Sequence, residues 1–223
     1  MRALVISDLH FEYRPDHGRG FVDALPLEGL DAVIVAGDLT DSAGLGRALG
    51  RLCNAAPEVI YCLGNHEFWG SAVPKVLARM EKLAGRYSNL HWLNDSSAVV
   101  CGQRFIGATL WYGDGPVKLS YDRKMIKGHD PWVFEKSVSS ADYLRENILP
   151  GDIVVTHHMP VNMRCGEMFG ARGWIHGHDH YSTNRKAGAT RVLCNPAGCV
   201  GRDLNPAFRN IIIRTTEPQA KAA

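Results

Sequence analysis

Residues 32–41 read Ala32-Val33-Ile34-Val35-Ala36-Gly37-Asp38-Leu39-Thr40-Asp41, a short apolar run that ends at glycine and aspartate. The β-branched run predicts a buried strand over Ala32–Ala36. A carboxylate directly after such a strand lies at the carboxyl edge of the sheet, where open α/β sheets build their sites. Taken alone, Gly37-Asp38 is typical of a plain turn. Its meaning therefore depends on whether the same pattern recurs.

The pattern recurs at four other places in the chain. In each, an apolar run ends in aspartate, histidine or asparagine: Val5-Ile6-Ser7-Asp8-Leu9-His10, Tyr61-Cys62-Leu63-Gly64-Asn65-His66-Glu67, Val154-Val155-Thr156-His157-His158 and Trp174-Ile175-His176-Gly177-His178-Asp179-His180. The ends of parallel strands meet at one edge of a sheet, so these segments predict one site assembled from distant pieces. Our hypothesis is that Asp38 lies at its centre.

Length and composition indicate one globular domain. The 223 residues are 45% hydrophobic and 22% charged, which excludes disorder, collagen and coiled coil. We expect a single domain over 1–216 and a disordered tail over 217–223. The formal net charge of +2 is too mild to indicate a nucleic-acid partner. No apolar run reaches the length of a membrane span, so we expect no membrane association.

The cysteines and the amino terminus bear on the compartment. None of the six cysteines forms a Cys-x-x-Cys pair, and several lie in apolar runs, so we expect buried free thiols. Asp8 follows Val5-Ile6-Ser7 directly, so we expect no cleavable leader. Together these features predict a reducing, cytoplasmic location. The oligomeric state stays open, with a homo-oligomer as one option.

The order of the predicted elements indicates the architecture. In the first part of the chain, strands alternate with helices over 43–55 and 72–84, whose apolar residues recur at helical spacing. Beyond residue 90, short β-like runs dominate, apart from a helix expected over about 130–148. The irregular segment 111–130 is long enough to suggest a function. This order favours two sheets packed face to face with helices outside.

The residue types at the strand ends point to metal chemistry. Aspartate, histidine and asparagine without a thiolate pattern suit divalent ions such as Mn, Fe or Zn in a catalytic role. On an extended strand, residues i and i+2 face one side, so His178 and His180 could reach one metal. Where the chain turns, the two could instead reach neighbouring metals. The spacing leaves both geometries open.

Five blocks occur in one order along the chain: Asp8-x-His10, Gly37-Asp38-x-x-Asp41, Gly64-Asn65-His66-Glu67, Thr156-His157-His158 and Gly177-His178-x-His180. In this order they resemble the signature of the calcineurin-like metallophosphoesterase superfamily. The resemblance implies an α/β fold, a four-layer α-β-β-α sandwich of two mixed sheets with helices outside. It also implies two divalent metal ions, Mn, Fe, Zn or Ni, and hydrolysis of a phosphomonoester or phosphodiester by a bridging hydroxide.

Carried over position by position, the resemblance implies a role for each residue. The first metal would be held by Asp8, His10, Asp38 and His180. The second would be held by Asp38, Asn65, His157 and His178, so that Asp38 bridges the two. His66 would protonate the leaving-group oxygen as general acid, a task that suits imidazole with its unperturbed pKa of about 6.5. We expect Asp41 to orient His66, with Glu67 as a weaker candidate.

Some neighbouring residues have simpler interpretations. Adjacent residues on an extended chain point apart, so only one of His157 and His158 should be a ligand. The family's Thr-His spacing favours His157, which leaves His158 to touch substrate or cap a loop. His176 is expected to pack, and Trp69 could wall the pocket.

A small phosphate ester is the expected partner, and two rival functions are considered. The first is a nuclease built on the same site, which is disfavoured because the chain lacks the basic stripe that backbone binding needs. The second is a non-catalytic scaffold on the same fold. It is disfavoured because every ligand position and His66 are filled.

Overall fold

The computed structural model describes residues 1–112, 121–160 and 170–215. The strands are β1 (Arg2–Ile6), β2 (Ala32–Ala36), β3 (Val59–Cys62), β4 (Ser71–Ala72), β5 (Leu90–Trp92), β6 (Ser96–Val100), β7 (Gln103–Ala108), β8 (Ile126–Lys127), β9 (Ile153–Thr156), β10 (Gly173–His176), β11 (Thr183–Ala187), β12 (Thr190–Cys194) and β13 (Ile211–Arg214). The helices are α1 (Arg19–Asp23), α2 (Leu45–Ala55), α3 (Val73–Arg86), α4 (Tyr121–Met125) and α5 (His129–Asn147). Two short 3-10 turns span Phe11–Tyr13 and His66–Phe68.

The strands form two large mixed sheets. The first has the order β13-β1-β2-β3-β5, in which β1, β2, β3 and β5 are parallel and β13 is antiparallel. The second has the order β11-β12-β10-β9-β7-β6, with a parallel centre and an antiparallel strand at each edge. The short strands β4 and β8 form a separate parallel pair. The parallel strands of the first sheet are connected through α1, α2 and α3, and β7 is connected to β9 through α5.

Alternate residues of each central strand enter different cores. In β1, Ala3 and Val5 lie in a core that also holds Phe105 and Val155 of the second sheet. Leu4 and Ile6 point the other way, into a core with residues of α1, α2 and α3. Because both faces are covered, the strands are apolar throughout rather than alternating.

The outer face of the second sheet is covered in the same way. Val154 of β9 and Trp174 of β10 pack there with Leu144 of α5. The layers therefore run helices, sheet, sheet, helix, which confirms the predicted two-sheet sandwich of class α/β.

The structure adds elements that the sequence did not indicate. The helix α1 has five residues, and only Val22 among them is buried, so it carries no apolar periodicity. In the segment predicted as irregular, residues 121–127 form α4 and β8. Residues 113–120 of that segment, and the expected tail over 217–223, lie outside the described residues.

Two further expectations concern cysteines and membrane spans. Among the described cysteines, Cys53, Cys62, Cys194 and Cys199 are buried free thiols and Cys101 is exposed. Cys165 lies outside the described residues. Within the described ranges, no helix combines the length and the apolar character needed to cross a membrane.

Candidate metal centre

The predicted site residues lie just beyond the carboxyl ends of five strands. Asp8, Asp38 and Asn65 follow β1, β2 and β3 of the first sheet, whereas His157 and His178 follow β9 and β10 of the second. The two sheets therefore contribute to one site, as the recurring strand ends predict.

Five of these residues have a left-handed backbone. The angle φ is 52° at Asp8, 45° at His10, 52° at Asp38, 71° at His178 and 53° at His180. Side chains with a Cβ rarely adopt this conformation, although aspartate and histidine tolerate it better than most. Such strain persists only where the surrounding structure holds it, and it concentrates at functional sites.

Two glycines of the motifs are required by close packing. A Cβ at Gly64 would lie 2.1 Å from Asp38 Oδ1, and a Cβ at Gly37 would lie 2.4 Å from His157 Nδ1. Gly37 also has a φ of 79°. The loops after β2 and β3 thus approach the site side chains so closely that only glycine fits.

A first group of ligand atoms comes from Asp8, His10, Asp38 and His180. The Nε2 atoms of His10 and His180 are 3.0 Å apart. Asp8 Oδ1 lies 3.5 Å from His180 Nε2, and Asp38 Oδ2 lies 3.8 Å from His10 Nε2. The structure therefore brings together the four residues predicted for the first metal.

A second group comes from Asp38, Asn65, His157 and His178. His157 Nε2 lies 3.0 Å from Asn65 Oδ1 and 3.4 Å from Asp38 Oδ1. His178 Nδ1 is 3.2 Å from the same Asn65 oxygen. Asp38 thus turns Oδ1 toward the second group and Oδ2 toward the first, which is the arrangement a bridging carboxylate needs.

The motif Gly177-His178-x-His180 resolves the question of spacing that the sequence left open. His178 joins the second group and His180 the first, whereas Asp8 and His10 both join the first. The left-handed residues break the strand geometry, so residues i and i+2 reach one group in one motif and two groups in the other.

Whether these residues fit a cation can be tested on the first group. His10 Nδ1 lies 3.2 Å from a Glu12 carboxylate oxygen, and His180 Nδ1 lies 2.6 Å from one of Asp203. In the neutral rings these acceptors favour a proton on Nδ1, so that each Nε2 can serve as a donor to a cation. Asp8 Oδ2 is buried and has no hydrogen-bond partner among the described residues. Lone pairs converging in this way fit a bound cation.

The second group passes the same test. His157 Nδ1 donates to the Ala36 carbonyl at 2.9 Å, which directs Nε2 toward the oxygens of Asp38 and Asn65. Burial opposes protonation of this ring, but the Asp38 carboxylate outweighs it and raises the pKa of His157 to about 9. In turn, burial raises the pKa of Asp38, while the facing imidazoles outweigh it and hold that pKa well below its usual range. The group therefore favours positive charge at its centre.

His66 lies beside both groups, and its contacts correct one prediction. Its Nδ1 is 2.8 Å from Glu12 Oε1, and its Nε2 is 4.0 Å from Asp38 Oδ2. The predicted partner, Asp41, instead accepts a hydrogen bond from Gly44 N at 2.8 Å. Asp41 belongs to the loop that leads into α2, where its carboxylate closes a local turn. The structure therefore places Glu12, and not the predicted Asp41, against His66.

Glu12 serves two imidazoles at once. The 3-10 turn Phe11–Tyr13 brings its Oε1 between the Nδ1 atoms of His10 and His66. Burial raises the pKa of Glu12, but the two histidine hydrogen bonds outweigh it and lower the pKa to about 2. The sequence analysis missed this residue, although Asp8-x-His10-x-Glu12 continues the same spacing.

Glu67 was the weaker candidate for orienting His66, and it has another role. Its carboxylate accepts hydrogen bonds from Asp38 N at 3.2 Å and from Leu39 N, Gly64 N and Tyr61 Oη at 2.7 Å each. Burial and the nearby Asp38 charge raise the pKa of Glu67 to about 7. Glu67 therefore links the loop after β2 to the loop after β3 through these hydrogen bonds.

Asp122 is a second residue that sequence reasoning missed. One of its oxygens accepts from Asn65 Nδ2 at 2.8 Å and from Trp69 Nε1 at 2.6 Å. The first bond turns the Asn65 amide so that its oxygen faces His157. Because these contacts cross more than fifty positions of the chain, no local pattern marks Asp122.

The neighbouring histidines and Trp69 have the following surroundings. His158 is buried, and its Nδ1 lies 3.2 Å from the Thr109 carbonyl, so it faces away from Asp38 while His157 faces toward it. His176 is also buried. Trp69 stacks on His66 with ring centroids 3.5 Å apart, which makes it a wall of the site.

Comparison with known proteins gives a family and two similar folds. A family model described as calcineurin-like phosphoesterase matches residues 1–182. The structure is similar to that of phosphopantetheinyl hydrolase from Mycobacterium tuberculosis, with 15% identity, 88% of this chain and 89% of that chain covered, and a TM-score of 0.69. It is also similar to TT1561 of Thermus thermophilus, with 15% identity, 88% of each chain covered and a TM-score of 0.59. No curated protein matches by sequence. At these identities the two structures show a shared fold alone.

Proposed function

The chain belongs to the calcineurin-like phosphoesterase family, and from this premise we propose that it hydrolyses a small phosphomonoester or phosphodiester by a two-metal, bridging-hydroxide mechanism. The observation that carries the proposal is Asp38, whose two oxygens face two separate groups of ligand atoms. A carboxylate in this position supplies charge and one oxygen to each of two cations.

The two groups described above would hold the cations. When bound, these ions would supply a hydroxide nucleophile at neutral pH and positive charge for the phosphoryl oxygens. Histidine, aspartate and asparagine donors suit Mn, Fe, Zn or Ni. Glu12, Asp122 and Asp203 would fix the ligand rings and the amide through the hydrogen bonds that they accept from them.

His66 is the proposed general acid. Its Nδ1 proton is held by Glu12, which leaves Nε2 as the nitrogen that can deliver a proton. The carboxylate of Glu12 also stabilises the positive charge that the ring carries before transfer. Stacking on Trp69 sets the plane of the ring. These contacts support transfer from His66 Nε2 to the leaving-group oxygen.

A basic cavity beside the site supports an anionic substrate. The cavity has a volume of about 570 Å³, and its lining includes Lys75, Arg123, Lys124 and Lys127. Gly70, which follows the site tryptophan Trp69, also lines it. Cations placed here would attract a phosphate ester toward the ligand groups. We further propose the cytoplasm as the working compartment, which the buried free thiols support.

The proposed function is tested with a panel of aryl and alkyl phosphate monoesters and diesters. The purified protein would be freed of metal and reloaded with Mn, Fe, Zn, Ni, Co or Mg. We expect hydrolysis to require metal and to differ between mono- and diesters, which identifies the substrate class. If the loaded protein hydrolyses no ester of the panel with any of these metals, the proposal fails.

Substitutions of Glu12 and Asp41 should have different effects on the proposed general acid, His66. We expect Glu12→Gln to lower turnover of alkyl phosphates by about 10- to 100-fold, because His66 and His10 lose their shared anionic partner. Nitrophenyl esters, which need little protonation, should lose less. Asp41→Asn serves as the matched control and should keep turnover close to that of the wild type. A larger loss in Asp41→Asn than in Glu12→Gln would return the orienting role to Asp41.

A further inference from the structure

A cysteine lies against the first group of ligand atoms. Cys199 is in the segment between β12 and β13 and is only 6% exposed. Its Sγ, a ring nitrogen of His10 and a ring nitrogen of His180 all lie within 4.8 Å of one another. The function proposed above assigns no role to this thiol.

The position of Cys199 is set by bonds to the site itself. Gly198 N donates to the Asp8 carbonyl at 2.9 Å, which ties the segment to the end of β1. Cys199 N donates to Asp203 Oδ1 at 3.0 Å, and the other oxygen of Asp203 lies 2.6 Å from His180 Nδ1. The same carboxylate therefore positions the backbone of Cys199 and the ring of His180.

A second observation indicates that this group fits a cation. The Nε2 atoms of His10 and His180 lie 3.0 Å apart, while both Nδ1 atoms lie within hydrogen-bond distance of carboxylates. The fully buried Asp8 has one oxygen with no partner among the described residues. Nitrogen, oxygen and sulphur donors thus surround one small volume.

We propose that Cys199 is a thiolate ligand of the divalent metal that Asp8, His10 and His180 hold. A thiol that coordinates a metal is deprotonated outright, so binding would form the sulphur–metal bond and release one proton to solvent. The inference rests on the proposed function, because the metal is the one that the reaction requires.

A sulphur donor changes which metals the first group prefers. Thiolate is a soft ligand that selects zinc and iron, whereas oxygen donors suit magnesium and manganese. With Cys199 among its ligands, the first group would favour zinc or iron over manganese. The second group, built from Asp38, Asn65, His157 and His178, has no sulphur donor among the described residues and would accept harder ions.

Cobalt(II) provides a direct test, because a thiolate bound to cobalt gives a sulphur-to-metal charge-transfer band in the near ultraviolet. The metal-free protein would be titrated with cobalt(II), and absorption, bound cobalt and ester hydrolysis would be measured together. We expect the band in the wild-type protein and its loss in Cys199→Ser, with visible cobalt absorption retained through the remaining ligands. Cys101→Ser, which removes an exposed thiol on the β6–β7 turn, is the matched control and should keep the band.

Each outcome separates this inference from the proposed function. If the wild-type protein binds cobalt and hydrolyses esters without the band, Cys199 is not a ligand and the proposed function stands. A band that persists in Cys199→Ser overturns the inference as well. If cobalt does not bind and no ester is hydrolysed, both proposals fail. Cys199→Ala should repeat the loss, with circular dichroism showing that both variants are folded.

Discussion

Asp38→Ala is expected to lower phosphoester hydrolysis by on the order of 10³-fold or more and to reduce bound metal at the same time. The physical reason is that Asp38 lies between both groups, with Oδ2 3.8 Å from His10 Nε2 and Oδ1 3.4 Å from His157 Nε2. One substitution would therefore remove a ligand from each of the two proposed cations. Metal content by mass spectrometry and turnover of a nitrophenyl ester are the two measurements.

The control must separate the loss of a metal ligand from a change in the conformation of the loop that carries His66. Asp38 Oδ1 also accepts from His66 N at 2.9 Å, so alanine removes a bond that holds the next loop. Thermal unfolding of the metal-free proteins measures that effect alone. Asp41→Ala, three residues further on the same loop, should retain its metal. Normal metal content in Asp38→Ala would contradict the bridging role.

His66→Ala is expected to slow hydrolysis of esters with poor leaving groups by about 10²- to 10⁴-fold. An alkoxide leaving group needs a proton in the transition state, and the proposed donor is His66 Nε2, which lies 4.0 Å from Asp38 Oδ2. Nitrophenolate is stable without a proton, so the same variant should lose much less on nitrophenyl esters. A series of esters with graded leaving-group pKa measures this as a steeper dependence of rate on that pKa.

The metal content of the His66 variants shows whether His66 acts as a general acid or as a metal ligand. His66 also forms a cluster with His10 and Asp38 whose ligand atoms lie within 4.8 Å of one another. If His66 were a ligand, its replacement would lower bound metal and would slow all esters alike. Unchanged metal together with unequal losses supports the acid, whereas equal losses on both ester classes contradict it. His66→Gln, which keeps most of the volume of the side chain, should behave as His66→Ala does.

The strands of the two large sheets and the set of candidate site residues could be predicted because their signals are local. The run Ala32–Ala36 is apolar on both faces since it is covered by a sheet and by helices, and its bounds match β2. The polar residues after β1, β2, β3, β9 and β10 stand out against such runs. Their convergence follows from the parallel strands of two sheets packed together rather than from any single motif.

The contacts of the site could not be predicted, because they join distant parts of the chain. Glu12 reaches His66 across 54 positions, and Asp122 reaches Asn65 across 57. Asp41 was expected from the family resemblance, but in the structure its carboxylate accepts a hydrogen bond from Gly44 N. The left-handed backbones at His178 and His180 likewise decide which group each ring joins, and a strand pattern carries no information on them.

The division of the site between two sheets has a consequence for the whole fold. Asp8, His10, Asp38 and Asn65 come from one layer, and His157, His178 and His180 from the other. Cations held by both sets would act as non-covalent cross-links between the two sheets. Because such ions bind only the folded chain, their occupancy would add to the free energy of unfolding. The same ligand atoms would then serve both catalysis and the stability of the packing between the two sheets.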